Sequence, residues 1–154
     1  TFAMTGWRIG YILSAHSQMM EELTKMQYYV TACSNDAMQY AVLEALRKTP
    51  NYPEEMCKEF KSRRDLICSR LNSMDGVSCH VPTGAFYVFP RIDIPGLSSE
   101  ELAIKLLENG VLCSPGTAFG PAGEGHLRFA YTISRKEISK GMDRVEKVLT
   151  ELRR

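Results

Sequence analysis

An apolar stripe in the middle of the chain constrains the fold more than any other feature. Apolar side chains recur at helical spacing between Pro53 and the Asp75-Gly76 pair: Met56, Phe60, Ile67, Leu71 and Met74. This spacing predicts an amphipathic helix roughly 30 Å long, with basic and acidic side chains on its other faces. A helix with one apolar face has to bury it against a second layer of structure.

The sequence after this helix predicts that second layer. Four β-prone segments are predicted strands: 77–81, 85–89, 111–114 and 126–133. Helices are predicted to start after Ser98 and Ser134, each of which precedes a glutamate at the spacing of a capping box. The Gly- and Pro-rich segment 115–125 between the last two strands is predicted to be a mobile loop. Together these elements predict an α+β fold, a small mixed sheet with helices packed on one face.

Three elements are predicted ahead of the long helix. Residues 7–13 are apolar and β-prone, which predicts a short buried strand. Ser17 is the predicted cap of a helix, and Ser34 or Asn35 of another that ends before Pro50.

Composition excludes several classes of protein. Nineteen basic and eighteen acidic residues leave a net charge of +1, too little for bulk attraction to nucleic acid or an anionic membrane. No apolar run reaches the ~18 residues of a membrane span. The five cysteines contain no CxxC pair, and no histidine clusters with them, so we expect free thiols in a cytoplasmic protein and no metal site.

Two arginines occupy unusual positions and are the candidate site residues. Arg8 interrupts the apolar segment between Gly6 and Gly10, where a guanidinium could bind a phosphate or carboxylate or form an internal salt bridge. Arg128 alternates with Leu127 and Phe129, so it lies with Ala130 on the other face of the predicted strand. It could bind a carboxylate or simply be a solvated strand residue. Spacing alone leaves both alternatives open.

Several blocks of sequence resemble the class I and II aminotransferases, which are fold type I enzymes dependent on pyridoxal phosphate. The start of the chain is similar to the part of the family signature that follows its lysine: Ala3, Met4, Gly6, Arg8, Ile9 and Gly10. Further blocks resemble the family in order and spacing: 39–46, 82–87, 111–119 and 126–134. The resemblance therefore extends over the whole chain.

The resemblance implies a fold and a set of roles. The chain would be the C-terminal part of an aspartate aminotransferase-like enzyme, with residues 1–49 ending the large cofactor-binding domain and 50–154 forming the small domain. Arg8 would contact the phosphate of pyridoxal 5′-phosphate, and Arg128 would bind the α-carboxylate of the amino-acid substrate. The lysine that forms the Schiff base would immediately precede Thr1. No catalytic residue would then lie in this chain, which alone would be inactive. Homodimers are usual in the family.

The resemblance leaves the reaction open. The favoured hypothesis is transamination between an amino acid and a 2-oxo acid, with aspartate, aromatic or alanine-like substrates. A relative with the same fold could instead be a C–S lyase or a synthase. A third hypothesis is a non-catalytic module that binds small carboxylates through Arg128.

Overall fold

The computed structural model describes residues 2–153, which form two compact units. The first ends at Met56 and the second begins at Cys57. The helices are α1 (Ser17–Thr31), α2 (Asp36–Lys48), α3 (Tyr52–Asn72), α4 (Ser99–Glu108) and α5 (Arg135–Leu152). The strands are β1 (Val77–Ser78), β2 (Tyr87–Val88), β3 (Arg91–Ile92), β4 (Ser114–Pro115) and β5 (Leu127–Ala130). No helix within residues 2–153 is long and apolar enough to cross a membrane.

The predicted strand over residues 7–13 is wrong. The backbone forms a 3₁₀ turn at Thr5–Trp7 and continues without regular structure. A strand needs a neighbour to satisfy its backbone N–H and C=O groups, and residues 2–56 provide no other strand. Most apolar side chains of this segment are exposed, with 70% of Tyr11 and 86% of Leu13 accessible to solvent, while Ile9 is half-buried.

The two helices of the first unit are confirmed, with one change of cap. His16 rather than Ser17 caps α1, because its Nδ1 accepts a hydrogen bond from the Met19 N–H at 3.2 Å. Asn35 caps α2, since its side-chain oxygen accepts from the Met38 N–H at 3.2 Å. Each interaction satisfies a backbone donor that the first helical turn leaves free.

The apolar stripe of α3 lies in the core of the second unit, as predicted. Ile67 and Leu71 are buried, and Phe60 packs at the edge of the same cluster. The apolar faces of α4 and α5 complete this core: Leu102, Leu106, Ile138, Val145 and Leu149. Helices therefore cover a small sheet, and the predicted α+β class is confirmed.

Of the two predicted capping boxes, the one that begins α4 is confirmed in full. The Ser98 hydroxyl accepts from the Glu101 N–H, while the Glu101 carboxylate accepts from the Ser98 N–H at 2.9 Å. At α5 only half of the motif forms. Ser134 accepts from the Glu137 N–H at 3.3 Å, but the Glu137 carboxylate binds Lys140.

The strands are much shorter than the sequence predicts. They form an antiparallel pair, β1-β3, and a three-stranded antiparallel sheet in the order β2-β5-β4. Strand β3 was not predicted, and Pro90 separates it from β2; proline lacks the N–H that a continuous ladder would require. The segment 115–125, predicted as a mobile loop, is instead folded into two 3₁₀ turns, Gly116–Phe119 and Pro121–Gly123.

The five cysteines are free thiols, of which Cys68 and Cys79 are buried. Their sulfur atoms are 3.9 Å apart in the core. Burial disfavours the thiolate and raises the pKa of Cys79 to about 12 and that of the half-buried Cys113 to about 11. Both groups are therefore small apolar side chains at neutral pH rather than nucleophiles.

Candidate functional site

Arg128 lies on the central strand of the three-stranded sheet. The predicted alternation along β5 is confirmed, because Leu127 and Phe129 are buried in the core. Arg128 therefore projects from the opposite face, beside Ala130. Strand pairing places Ser114 of β4 directly across from Arg128, and Tyr87 of β2 across from Ala130. Side chains two residues apart on a strand share a face, so all four lie together.

The Arg128 guanidinium packs over the faces of two aromatic rings. Its Cζ is 4.4 Å from the ring centroid of Tyr87 and 4.3 Å from that of Phe119. Its Nη2 donates a long hydrogen bond of 3.4 Å to the Ser114 hydroxyl. The side chain is half-buried. The quadrupole of each ring attracts the cation, which stabilises the charge without a carboxylate.

Arg128 has no acidic partner among the described residues, although its side chain is half-buried. Within residues 2–153 it forms no ion pair, whereas five arginines do: Arg63, Arg64, Arg70, Arg91 and Arg135. A half-buried guanidinium that lacks a counter-ion keeps its N–H donors available. Planar donors of this kind match a carboxylate in a bidentate arrangement. The site is therefore chemically suited to bind a small carboxylate.

Phe119 reaches Arg128 because the segment after β4 is tightly folded. The Gly116 N–H donates to the His126 carbonyl at 2.8 Å, and the backbones of Gly116 and Gly123 are in direct contact. Neither glycine has room for a Cβ atom. The Phe119 ring also packs edge-on against Phe89 at 6.1 Å.

Glu124 attaches this folded segment to the start of α4. Its Oε1 accepts hydrogen bonds from the Ser99 N–H at 2.7 Å, the Ser99 hydroxyl at 2.9 Å and the Gly125 N–H at 3.1 Å. These donors stabilise the charged carboxylate and lower the pKa of Glu124, the Ser99 backbone contributing most. The carboxylate also lies at the positive end of the helix dipole.

Glu124→Gln is expected to lower stability at pH 7 and to have no effect in strong acid. The pKa of Glu124 is lower in the folded state than the ordinary glutamate value of about 4.3. The ionised Glu124 carboxylate therefore contributes its full stabilisation of the folded state above that ordinary value. This stabilisation is lost as the pH falls through the lower, folded-state pKa. Denaturation midpoints of the intact protein between pH 3 and pH 7 would measure the difference between variant and parent.

Glu100→Gln is the matched control, because Glu100 also lies in the first turn of α4 but has no hydrogen bond or ion pair in the described part of the chain. The denaturation midpoint of Glu100→Gln should differ less from that of the parent, and this difference should change little with pH. A Glu124→Gln difference that stays constant across this pH range would contradict the proposed anchoring.

Arg8 lies in the first unit in a setting that differs from the prediction. It is exposed rather than buried, and its φ of 49° is in the left-handed region, which non-glycine residues seldom adopt. Its Nη1 donates to the Thr5 carbonyl at 3.1 Å, and within residues 2–153 it forms no ion pair. A Cβ atom at Gly6 or Gly10 would meet nothing within 4 Å. The remaining donors and the open space beside them fit a phosphate group.

A groove of about 690 Å³ lies elsewhere in the first unit, lined mainly by the segment 2–11 and by α2. Its α2 side is apolar, with Val42, Leu43 and Leu46. Arg8 does not line it. The lining indicates a packing surface rather than a site for a charged ligand.

Sequence reasoning identified both arginines but missed Tyr87, Phe119 and Ser114. Tyr87 and Phe119 each occur in a block that resembles the aminotransferases, which is the signal that could have drawn attention to them. The predicted lysine position precedes Thr1, and Thr1 itself lies outside the described residues.

Both the sequence and the fold of the chain are similar to those of known enzymes. The family model for aminotransferase class I and II matches residues 1–145, and the chain belongs to this family. Aspartate aminotransferase from Pyrococcus horikoshii is 45% identical over 97% of the chain, and aromatic-amino-acid aminotransferase 2 from Thermococcus litoralis is 44% identical over 98%. In both cases the chain spans 39% of the relative's length.

The fold is likewise that of a solved relative. The crystal structure of an aromatic aminotransferase from Pyrococcus horikoshii superposes with a TM-score of 0.87 and 42% identity. The match covers 97% of the chain and 40% of that protein.

Proposed function

We propose that the whole protein is an aminotransferase that exchanges an amino group between an amino acid and a 2-oxo acid. The half-buried Arg128 without an acidic partner is the single observation that carries this proposal. Its guanidinium is available to bind a carboxylate, a group that amino acids and 2-oxo acids both have. The relative named aspartate aminotransferase supports an aspartate aminotransferase-like enzyme, and the relative named for aromatic amino acids supports an aromatic substrate as the alternative.

Pyridoxal 5′-phosphate is the cofactor expected from the family, and it supplies the electron sink that makes the bonds at the substrate Cα reactive. Arg8 would hold its phosphate, because the guanidinium has unused donors and open space beside it. The left-handed backbone at Arg8 supports this role, since strained residues of this kind concentrate at ligand sites.

Arg128 would bind the substrate α-carboxylate and thereby fix the direction of the bond that breaks. Orientation of this kind lowers the barrier because the reacting atoms no longer have to be aligned by chance. The same arginine would bind the amino acid in one half of a ping-pong reaction and the 2-oxo acid in the other.

The remaining assignments concern the whole protein. Residues 1–49 would complete the large cofactor-binding domain, and residues 50–154 would form the small domain. The exposed apolar side chains of the first unit, such as Tyr11, Leu13 and Tyr29, support burial against further protein surface in a homodimer. Free thiols at Cys68 and Cys79, adjacent but unbridged, support a cytoplasmic location.

Transfer of an isotopic label would test the proposed reaction. The intact protein with pyridoxal phosphate is incubated with ¹⁵N-labelled aspartate or an aromatic amino acid, and with an unlabelled 2-oxo acid. We expect ¹⁵N in the amino acid formed from the 2-oxo acid. A parallel assay with a ¹⁵N-labelled amino acid that carries a C–S bond tests the lyase alternative, which predicts release of ¹⁵N-ammonia without transfer of the label. Carboxylate binding with no reaction in either assay would indicate a non-catalytic module.

A further inference from the structure

We propose that Tyr87 and Phe119 form an aromatic clamp, the pair of rings on either side of the Arg128 guanidinium, which positions that guanidinium for the substrate carboxylate. The inference rests on the proposed function, because it assigns positioning residues to the same site. Neither ring is required to contact the reacting atoms.

The clamp is built from two separate elements. Tyr87 comes from β2, on one side of Arg128 in the sheet, and Phe119 comes from the 3₁₀ turn that follows β4 on the other side. Both centroids lie within 4.4 Å of the Arg128 Cζ. Among the described residues the two rings make no ring contact with each other, as expected if the cation separates them. This is close enough for strong cation–π attraction to both.

Stacking of this kind restricts how a carboxylate can approach. The guanidinium lies over the face of each ring, so its hydrogen bonds to a ligand have to form on the sides that the rings leave open. One edge nitrogen, Nη2, is already directed toward the Ser114 hydroxyl. A carboxylate would then bind in the guanidinium plane, where two parallel N–H···O bonds are possible.

The clamp also explains how the arginine stays in place before substrate binds. A half-buried cation normally requires an acidic partner, and Arg128 has none within residues 2–153. The rings attract the charge without occupying its hydrogen-bond donors. An acidic partner would hold the side chain equally well but would compete with the substrate carboxylate.

Single-ring variants of the intact holoenzyme would test the clamp. Tyr87→Leu and Phe119→Leu keep an apolar side chain but remove the ring, and each is expected to raise KM for the amino acid about 3- to 30-fold. Tyr87→Phe and Phe119→Tyr keep the ring and should stay within about threefold of the parent. Turnover of an amine that lacks the α-carboxylate should not change in any of these variants.

Phe60→Leu is the matched control. Phe60 also lies under an arginine, with the Arg63 Cζ 5.3 Å from its centroid, but that arginine is paired with Glu59. It should lower the unfolding midpoint without raising KM. An equal rise in KM in this control would show that general destabilisation is the cause and would overturn the clamp.

Comparison with Arg128→Gln separates the two proposals. If the ring variants leave KM unchanged while Arg128→Gln raises it, the clamp is wrong and the carboxylate site stands. If Arg128→Gln also leaves KM and kcat unchanged, the proposed function itself fails.

Discussion

Arg128→Gln in the intact protein is expected to lower kcat/KM for the amino-acid substrate by about 30- to 4,000-fold, which corresponds to about 2–5 kcal/mol. Glutamine removes the charge and the planar fork of donors and leaves a shorter, neutral polar side chain. Arg128→Lys should recover little of this loss. A lysine ammonium is a compact, strongly hydrated charge that cannot bind a carboxylate in a bidentate way or stack between Tyr87 and Phe119.

Arg91→Gln is the control for this experiment. Arg91 pairs with Asp93 on the surface, both side chains being mostly exposed, and exposed pairs of this kind contribute little. Its kcat/KM should stay within about threefold of the parent value. Steady-state kinetics with both substrates would measure the effects, and similar values for the Arg128 and Arg91 variants would contradict the site assignment.

Gly116→Ala is expected to destabilise the intact protein by about 1–3 kcal/mol or more. Gly116 is buried, and a Cβ atom there would overlap the Gly123 carbonyl oxygen and approach the His126 carbonyl at 2.8 Å. These are backbone atoms, which cannot move aside as a flexible side chain can. Gly123→Ala should have a similar effect, since its Cβ would overlap the Gly116 backbone. Denaturant unfolding midpoints would measure both.

Gly141→Ala provides a control of opposite sign. Gly141 lies within α5, and a Cβ atom there would meet nothing within 4 Å. Alanine is preferred in helices, so this variant should be more stable by about 0.5–1 kcal/mol. If Gly116→Ala left the free energy of unfolding unchanged or raised it, the close backbone contact between the two 3₁₀ turns would not be needed for stability. Because Phe119 lies in the first turn, destabilisation at Gly116 should also raise KM for the amino acid.

The helices could be predicted from the sequence because their signals are local. The apolar stripe of α3 and the capping residues Asn35 and Ser98 each involve residues that are close in sequence. The structure confirms the helices that they predicted. Strands depend on partners that are distant in sequence. Residues 7–13 have the composition of a strand, yet residues 2–56 contain no second strand with which they could pair. In the second unit most strands are only two residues long, which is too short to show a clear alternation in the sequence.

The candidate site was predictable only in part, for the same reason. Alternation along β5 predicted that Arg128 and Leu127 lie on opposite faces, and the burial of Leu127 shows which face is the core. The proximity of Tyr87 follows from strand register, and that of Phe119 from a turn held by the Gly116–Gly123 contact. Neither relation is encoded over a short stretch of sequence. At Arg8 the apolar neighbours suggested burial. In the structure Arg8 follows the 3₁₀ turn with a left-handed backbone conformation, and its side chain is exposed.

The pairing of Arg128 with the substrate carboxylate can be tested by removing each partner in turn. The intact holoenzyme and its Arg128→Gln variant are each assayed with an amino acid and with the amine that lacks only the α-carboxylate. We predict that the parent strongly prefers the amino acid and that this preference falls by about 30-fold or more in the variant, because only one partner of the pair remains. An undiminished preference in Arg128→Gln would contradict the assignment of Arg128 as the carboxylate site.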